Sequence, residues 1–91
     1  MTASGRPGED LIEKGIADLS RGEETVEALL VSIGAPRLSG IGLALPRPIP
    51  SPEMRLYELL AREGPDSAHS RYNALIRRLV SFERAAECAA R

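Results

Sequence analysis

The chain predicts a small all-α domain: four helices, an extended proline-rich connection between the first and second helix pairs, and a long C-terminal helix. Three observations carry that prediction. No Gly or Pro occurs from Ser67 onward, and Tyr72, Leu75, Leu79, Phe82, Ala86 and Ala89 recur at alternating steps of three and four, which is one apolar seam. Prolines cluster at Pro46, Pro48, Pro50 and Pro52, where alternation forbids helix and favours an extended path. The aromatics are Tyr57, Tyr72 and Phe82 alone, so the core must come from Leu, Ile, Val and Ala.

The first expected helix carries Leu11, Ile12, Ile16 and Leu19 on one side. Gly15 weakens it by about 1 kcal/mol relative to Ala, and Gly22 is a natural stop. In the second, Glu23, Glu24 and Glu27 are placed in the first turn, where the helix dipole favours negative charge. Val26, Leu29, Leu30 and Ile33 follow, and Gly34 with Pro36 ends it. A strand over Ala28 to Ile33 lacks alternation and a partner. Pro36 to Gly40 adds one further turn. Ser51-Pro52-Glu53 reads as an N-cap, a first-turn proline and a first-turn acid, which starts the third helix. Met54, Leu56, Leu59 and Leu60 continue it to Glu63, and Gly64-Pro65 stops it. The fourth runs from Ser67 to Ala90 after a tight turn, with Gly64 expected at positive φ as a helix-ending glycine.

Ninety-one residues make one domain, with 1–8 expected as a disordered leader and 9–91 as the helical domain. The expected core is Leu11, Ile12, Ile16, Leu19, Val26, Leu29, Leu30, Ile33, Leu56, Leu59, Leu60, Tyr72, Leu75, Ile76, Leu79 and Phe82. The single cysteine, Cys88, forbids an internal disulfide and points to a reducing compartment, hence the cytoplasm. No stretch approaches the roughly 20 apolar residues that span a bilayer, so no membrane partner is expected.

Net charge is −1, so no overall field draws nucleic acid. The front is acidic (Glu9, Asp10, Glu13, Asp18, Glu23, Glu24, Glu27) and the last helix basic (Arg71, Arg77, Arg78, Arg84, Arg91). The two can pair within one molecule or between two. Arg71, Asn73, Arg77 and Arg78 form a candidate nucleic-acid face, because Arg and Asn on an exposed helix are suited to phosphates and base edges. Against it stand the net charge and a last helix much longer than a recognition helix. The bland alternative is a solvated basic face.

No catalytic, cofactor or metal motif stands out. Arg62 and His69 are the nearest approach to a nuclease-like pair, but Gly64 and Pro65 intervene and a site needs convergent geometry. Cys88 and His69 are about 28 Å apart on one helix. The acids show no calcium-loop spacing, and the glycines no phosphate loop. The expectation is therefore a non-enzymatic interaction or regulatory module, acting with a second copy or another protein. Nucleic-acid binding is the alternative. The third helix can cover only half of the fourth; the first two helices are the alternative cover for the rest, but each is short and acidic, so Phe82, Ala85, Ala86 and Ala89 are the expected dimer seam.

Overall fold

The computed structural model describes residues 8–89 and contains five helices and no strand among them. They are α1 (Glu9–Ser20), α2 (Val26–Ile33), α3 (Ala35–Gly40), α4 (Pro52–Glu63) and α5 (Ala68–Ala89). The all-α class and the proline-rich connection are as the sequence predicts. The extra turn after Gly34 is a helix in its own right, which makes five. Most of the expected leader lies outside the described residues. Its last residue, Gly8, is the N-cap of α1, and a Cβ there would lie 3.0 Å from the carbonyl oxygen of Arg78.

α2 is the centre of the molecule. Ala28, Leu29, Leu30, Val31 and Ser32 are all buried in succession, so this helix is covered on every side. Burying each of its leucines contributes roughly 1.5–3 kcal/mol. Around it pack Ile12 and Leu19 of α1, Leu38 of α3, Leu56 and Leu60 of α4, and Leu79, Phe82 and Ala86 of α5. All sixteen residues expected in the core lie in this cluster, half of them partly exposed at its edge. Ala28, Val31, Leu38 and Ala68 also lie in it, outside a single apolar stripe per helix, and so does Ala86 of the α5 seam.

Gly15 has a positive role that propensity alone does not show. A Cβ at this position would sit 2.4 Å from the Glu27 carbonyl oxygen and 2.7 Å from Val31 Cγ1. The missing side chain is what lets α1 cross α2 backbone to backbone. The connection is equally specific. Gly22 has φ 73°, its N–H bonds to Leu19 O at 3.0 Å, and the Glu23 N–H bonds back to Asp18 O at 2.9 Å. That pair of bonds is a Schellman closure. It carries Glu23 and Glu24 out of α2, contrary to the expectation that they open it. Thr25 is the N-cap, accepting a bond from Ala28 N at 3.1 Å.

The same hydroxyl donates to Asp18 Oδ2 at 2.6 Å. Asp18 is fully buried, and it also accepts from Lys14 Nζ at 2.7 Å and from Arg21 Nη2. The bonds from Lys14 and Thr25, and then the charges of Lys14 and Arg21, hold its carboxyl below the usual range despite burial. Asp18 thus ties the end of α1 to the cap of α2.

The extended segment after α3 is packed down. Gly42, at φ 97°, closes α3 with a second Schellman pattern, Leu43 N to Leu38 O at 3.1 Å and Gly42 N to Ser39 O at 3.1 Å. Ile41, Leu43, Leu45 and Ile49 then lie against the core. The buried Ser32 hydroxyl accepts from Ile49 N at 3.0 Å and donates to Ala28 O at 2.8 Å.

The α4–α5 turn corrects one expectation. Gly64 has φ −170°, which is extended backbone open to any residue, so the turn is not closed by a left-handed glycine. At the other end of α4, Ser51 is the non-glycine residue with positive φ among the described residues, at φ 50°; it occupies the N-cap without a side-chain capping bond. At the far end, the Ser67 carbonyl accepts the first bond of α5, from Arg71 N at 2.9 Å.

Candidate functional site

α5 is about 33 Å long, and the residues expected to carry function lie on its different sides. Its innermost side is closed. Phe82 and Ala86 are buried within the single chain, Ala85 is half-buried, and Ala89 is exposed. Phe82 and Ala86, half of the expected dimer seam, are thus covered within one chain, while Ala85 and Ala89 keep exposure. The reason is that α5 packs this stretch into the core around α2. The α2–α3 junction at Gly34 comes against Leu79 and Glu83, where a Cβ would be 2.9 Å from each. Arg37 of α3 then clasps Glu87 through Nε and Nη2, both at 2.9 Å. A helix read as a single turn reaches the distal half of α5.

One flank of α5 borders a cleft of about 630 Å³, lined by Lys14, Val26, Glu27, Leu59, Glu63, Arg71, Leu75 and Arg78 among others. Its floor is apolar and its rim is charged. The cations are held: Lys14 by Asp18 and Glu27, Arg71 by Glu63 at 3.0 Å, Arg78 by Asp10 at 3.4 Å. The acidic front and the basic last helix thus meet within the chain at Asp10–Arg78, and the front also pairs with α4 at Glu24–Arg55, 2.9 Å apart. Such exposed pairs contribute at most about 1 kcal/mol each.

These pairs bear on the nucleic-acid face. At about 100° per residue, Arg71 and Arg78 share one side of α5 while Asn73 and Arg77 stand on another. Asn73 Nδ2 lies 3.2 Å from Nε2 of the exposed His69. Arg77 is exposed and, among the described residues, has no ion-pair partner. The four residues therefore do not form one continuous basic surface. Cys88 is exposed and unpaired. No group of three or more His, Cys, Asp or Glu among the described residues could hold a metal ion.

The opposite flank is apolar. Tyr72, Ile76 and Val80 follow each other at one turn's spacing and are half-buried. On α4, Tyr57 has its ring 5.7 Å from that of Tyr72, and Met54 precedes Tyr57 by about one turn. These two are the large apolar side chains left exposed among the described residues, Met54 at 65% and Tyr57 at 40%. The flank continues into a groove of about 290 Å³ lined by Ile33, Pro36, Arg37, Ile76, Val80 and Glu83.

Glu83 is the unusual group in that groove. It is only 4% exposed, yet it makes no hydrogen bond among the described residues. The nearest cation, Arg37 Nη1, is 3.8 Å away and belongs to a guanidinium already engaged by Glu87. Burial, reinforced by the Glu87 charge and opposed by Arg37, pushes the Glu83 carboxyl up. The sequence offers a faint sign of it: Glu83 falls one turn after Leu79, where the seam period calls for an apolar neighbour.

No helix among the described residues is long and apolar enough to cross a membrane. No protein-family model, curated protein or solved structure matches the chain.

Proposed function

We propose that this protein is a non-enzymatic helical interaction module that self-associates, and that it works in the cytoplasm. One observation carries the reading: Met54 and Tyr57 are the large apolar side chains left exposed among the described residues, and Tyr57 stands beside Tyr72, which continues through the half-buried Ile76 and Val80. Contiguous exposed apolar surface on a small protein marks a place for a partner. A lone cysteine supports the reducing compartment.

The test is the mass in solution. Light scattering at high micromolar concentration should give a dimer, and Ile76→Glu should give a folded monomer by the same measurement. A wild type that stays monomeric would sink self-association. Duplex binding ranks lower, because Arg71 and Arg78 are tied to Glu63 and Asp10 on the side away from Arg77. It would be promoted by binding at physiological salt that weakens steeply as salt rises.

A further inference from the structure

We infer that the groove between the α2–α3 junction and α5 receives an arginine side chain of another protein, with its guanidinium on the Glu83 carboxyl. This site goes beyond self-association and does not depend on it. The argument starts from Glu83. Its side chain is 6% exposed, lines the groove, and makes no hydrogen bond among the described residues. A buried carboxylate without a donor bears the cost of lost hydration, and a charge-assisted donor offsets it best. Arg37 is not that donor. Its Nη1 stays 3.8 Å away, because Nε and Nη2 are bonded to Glu87. Burial therefore pushes the Glu83 carboxyl up, and the Arg37 charge opposes this only in part.

The walls select the stem of the occupant. Ile33, Pro36, Ile76, Leu79 and Val80 are apolar and suit methylenes. The buried carboxyl selects the head. A guanidinium is more weakly hydrated than an ammonium and can bond both oxygens of a carboxylate at once. Gly34 leaves the carboxyl its place against the junction, since a Cβ there would lie 2.9 Å from Glu83 Oε2 and from Leu79 Cδ1.

The size selects the source. About 290 Å³ falls just under the range of roughly 300–1,000 Å³ for small-molecule pockets, which is room for one side chain. Apart from Arg37, which Glu87 holds, the lining offers no cation for the carboxylate of a free amino acid. The arginine therefore comes on a peptide chain. Ile76 and Val80 are half-buried, so apolar residues beside that arginine have surface to cover.

The deciding experiment follows backbone amide shifts of the full chain by NMR. The probe is the capped tripeptide acetyl-Leu-Arg-Leu-amide. Its comparator carries citrulline, which keeps the shape of arginine and removes the charge. The arginine peptide should shift the amides of Gly34, Ile76, Val80 and Glu83 saturably, and the citrulline peptide should bind at least about tenfold more weakly. Glu83→Gln should weaken the arginine peptide to a similar extent, with a melting temperature no lower than that of the wild type. Glu23→Gln, an exposed acid elsewhere, should leave binding unchanged. Equal affinity for the two peptides, shifts confined to the acidic front, or no saturable shift overturns the site. The citrulline comparison decides on the wild type alone if Glu83→Gln does not fold. A wild type that stays monomeric sinks self-association and leaves this site standing; a groove blind to charge does the reverse.

Discussion

The two helical hairpins of this protein are built on opposite plans. The α1–α2 hairpin is closed by contacts that admit little substitution: a glycine at the crossing, a Schellman turn, and a buried carboxylate shared by three donors. The α4–α5 hairpin is joined by an extended glycine turn, a surface ion pair and a tilted pair of tyrosines. Both its flanks open onto grooves. The first hairpin holds the fold, and the second presents surface. Mutations in the first should therefore be felt as stability, and those on the flanks of the second as association.

The strongest way to break this contrast is Gly15→Ala. The added methyl would meet the Glu27 carbonyl and Val31, and backbone cannot rotate away as a side chain can. A loss of about 3 kcal/mol, the upper end of overpacking costs, is expected in urea unfolding. A gain from better helix propensity would instead show that the hairpin is loose.

Asp18→Asn should rank next, by thermal melting at neutral pH. The Asp18 carboxyl has its pKa lowered in the fold, so its contribution is present above the unfolded value near ~3.9 and lost as pH falls through the folded value. The wild type and Asp18→Asn should converge in stability as the pH drops below about 4. A gap independent of pH would mean that Asp18 acts through packing alone.

The two turns give a matched, smaller test. Gly22 has φ 73° and open space around it, so Gly22→Val should cost about 1–2 kcal/mol through left-handed strain alone. Gly64→Val should change stability by no more than about 0.5 kcal/mol. Its backbone is extended, and the nearest atom to a new Cβ is the Ser67 hydroxyl at 3.0 Å, which can turn aside. Equal costs at the two sites would erase the distinction between the hairpins.

Local signals in the sequence give the local features. Ser51-Pro52 and Gly64-Pro65 bracket α4 at the bounds the chain adopts, because a proline or a helix-stopping glycine acts within its own few residues. The features that come from tertiary contact are not visible there. Gly15 reads as a weak point until α2 is laid across it. Asp18 reads as one solvated acid among seven until Thr25 and Lys14 converge on it. Phe82 and Ala86 read as uncovered because nothing local says that α5 will pack this stretch into the core around α2. The candidate surface is hidden for the same reason: Glu83 and Arg77 look like opposite charges on one exposed helix. Only the position of Gly34 against Leu79 and Glu83 shows that the first is buried.

The Ser32 hydroxyl that holds Ile49 bears on how two copies meet. A chain of two hairpins joined by one connection is a natural candidate for exchange, each molecule lending its second hairpin to the other. Exchange would require the connection to lift as a hinge. Here it is pinned at mid-length by a buried hydrogen bond, with Leu43, Leu45 and Ile49 set against the core. Alternating prolines also stiffen it. Opening it would strip a buried amide and expose apolar surface before any exchanged contact could form. If two copies associate as proposed, each would therefore complete its own fold first and meet the other as a finished body, and dilution would separate them without unfolding either.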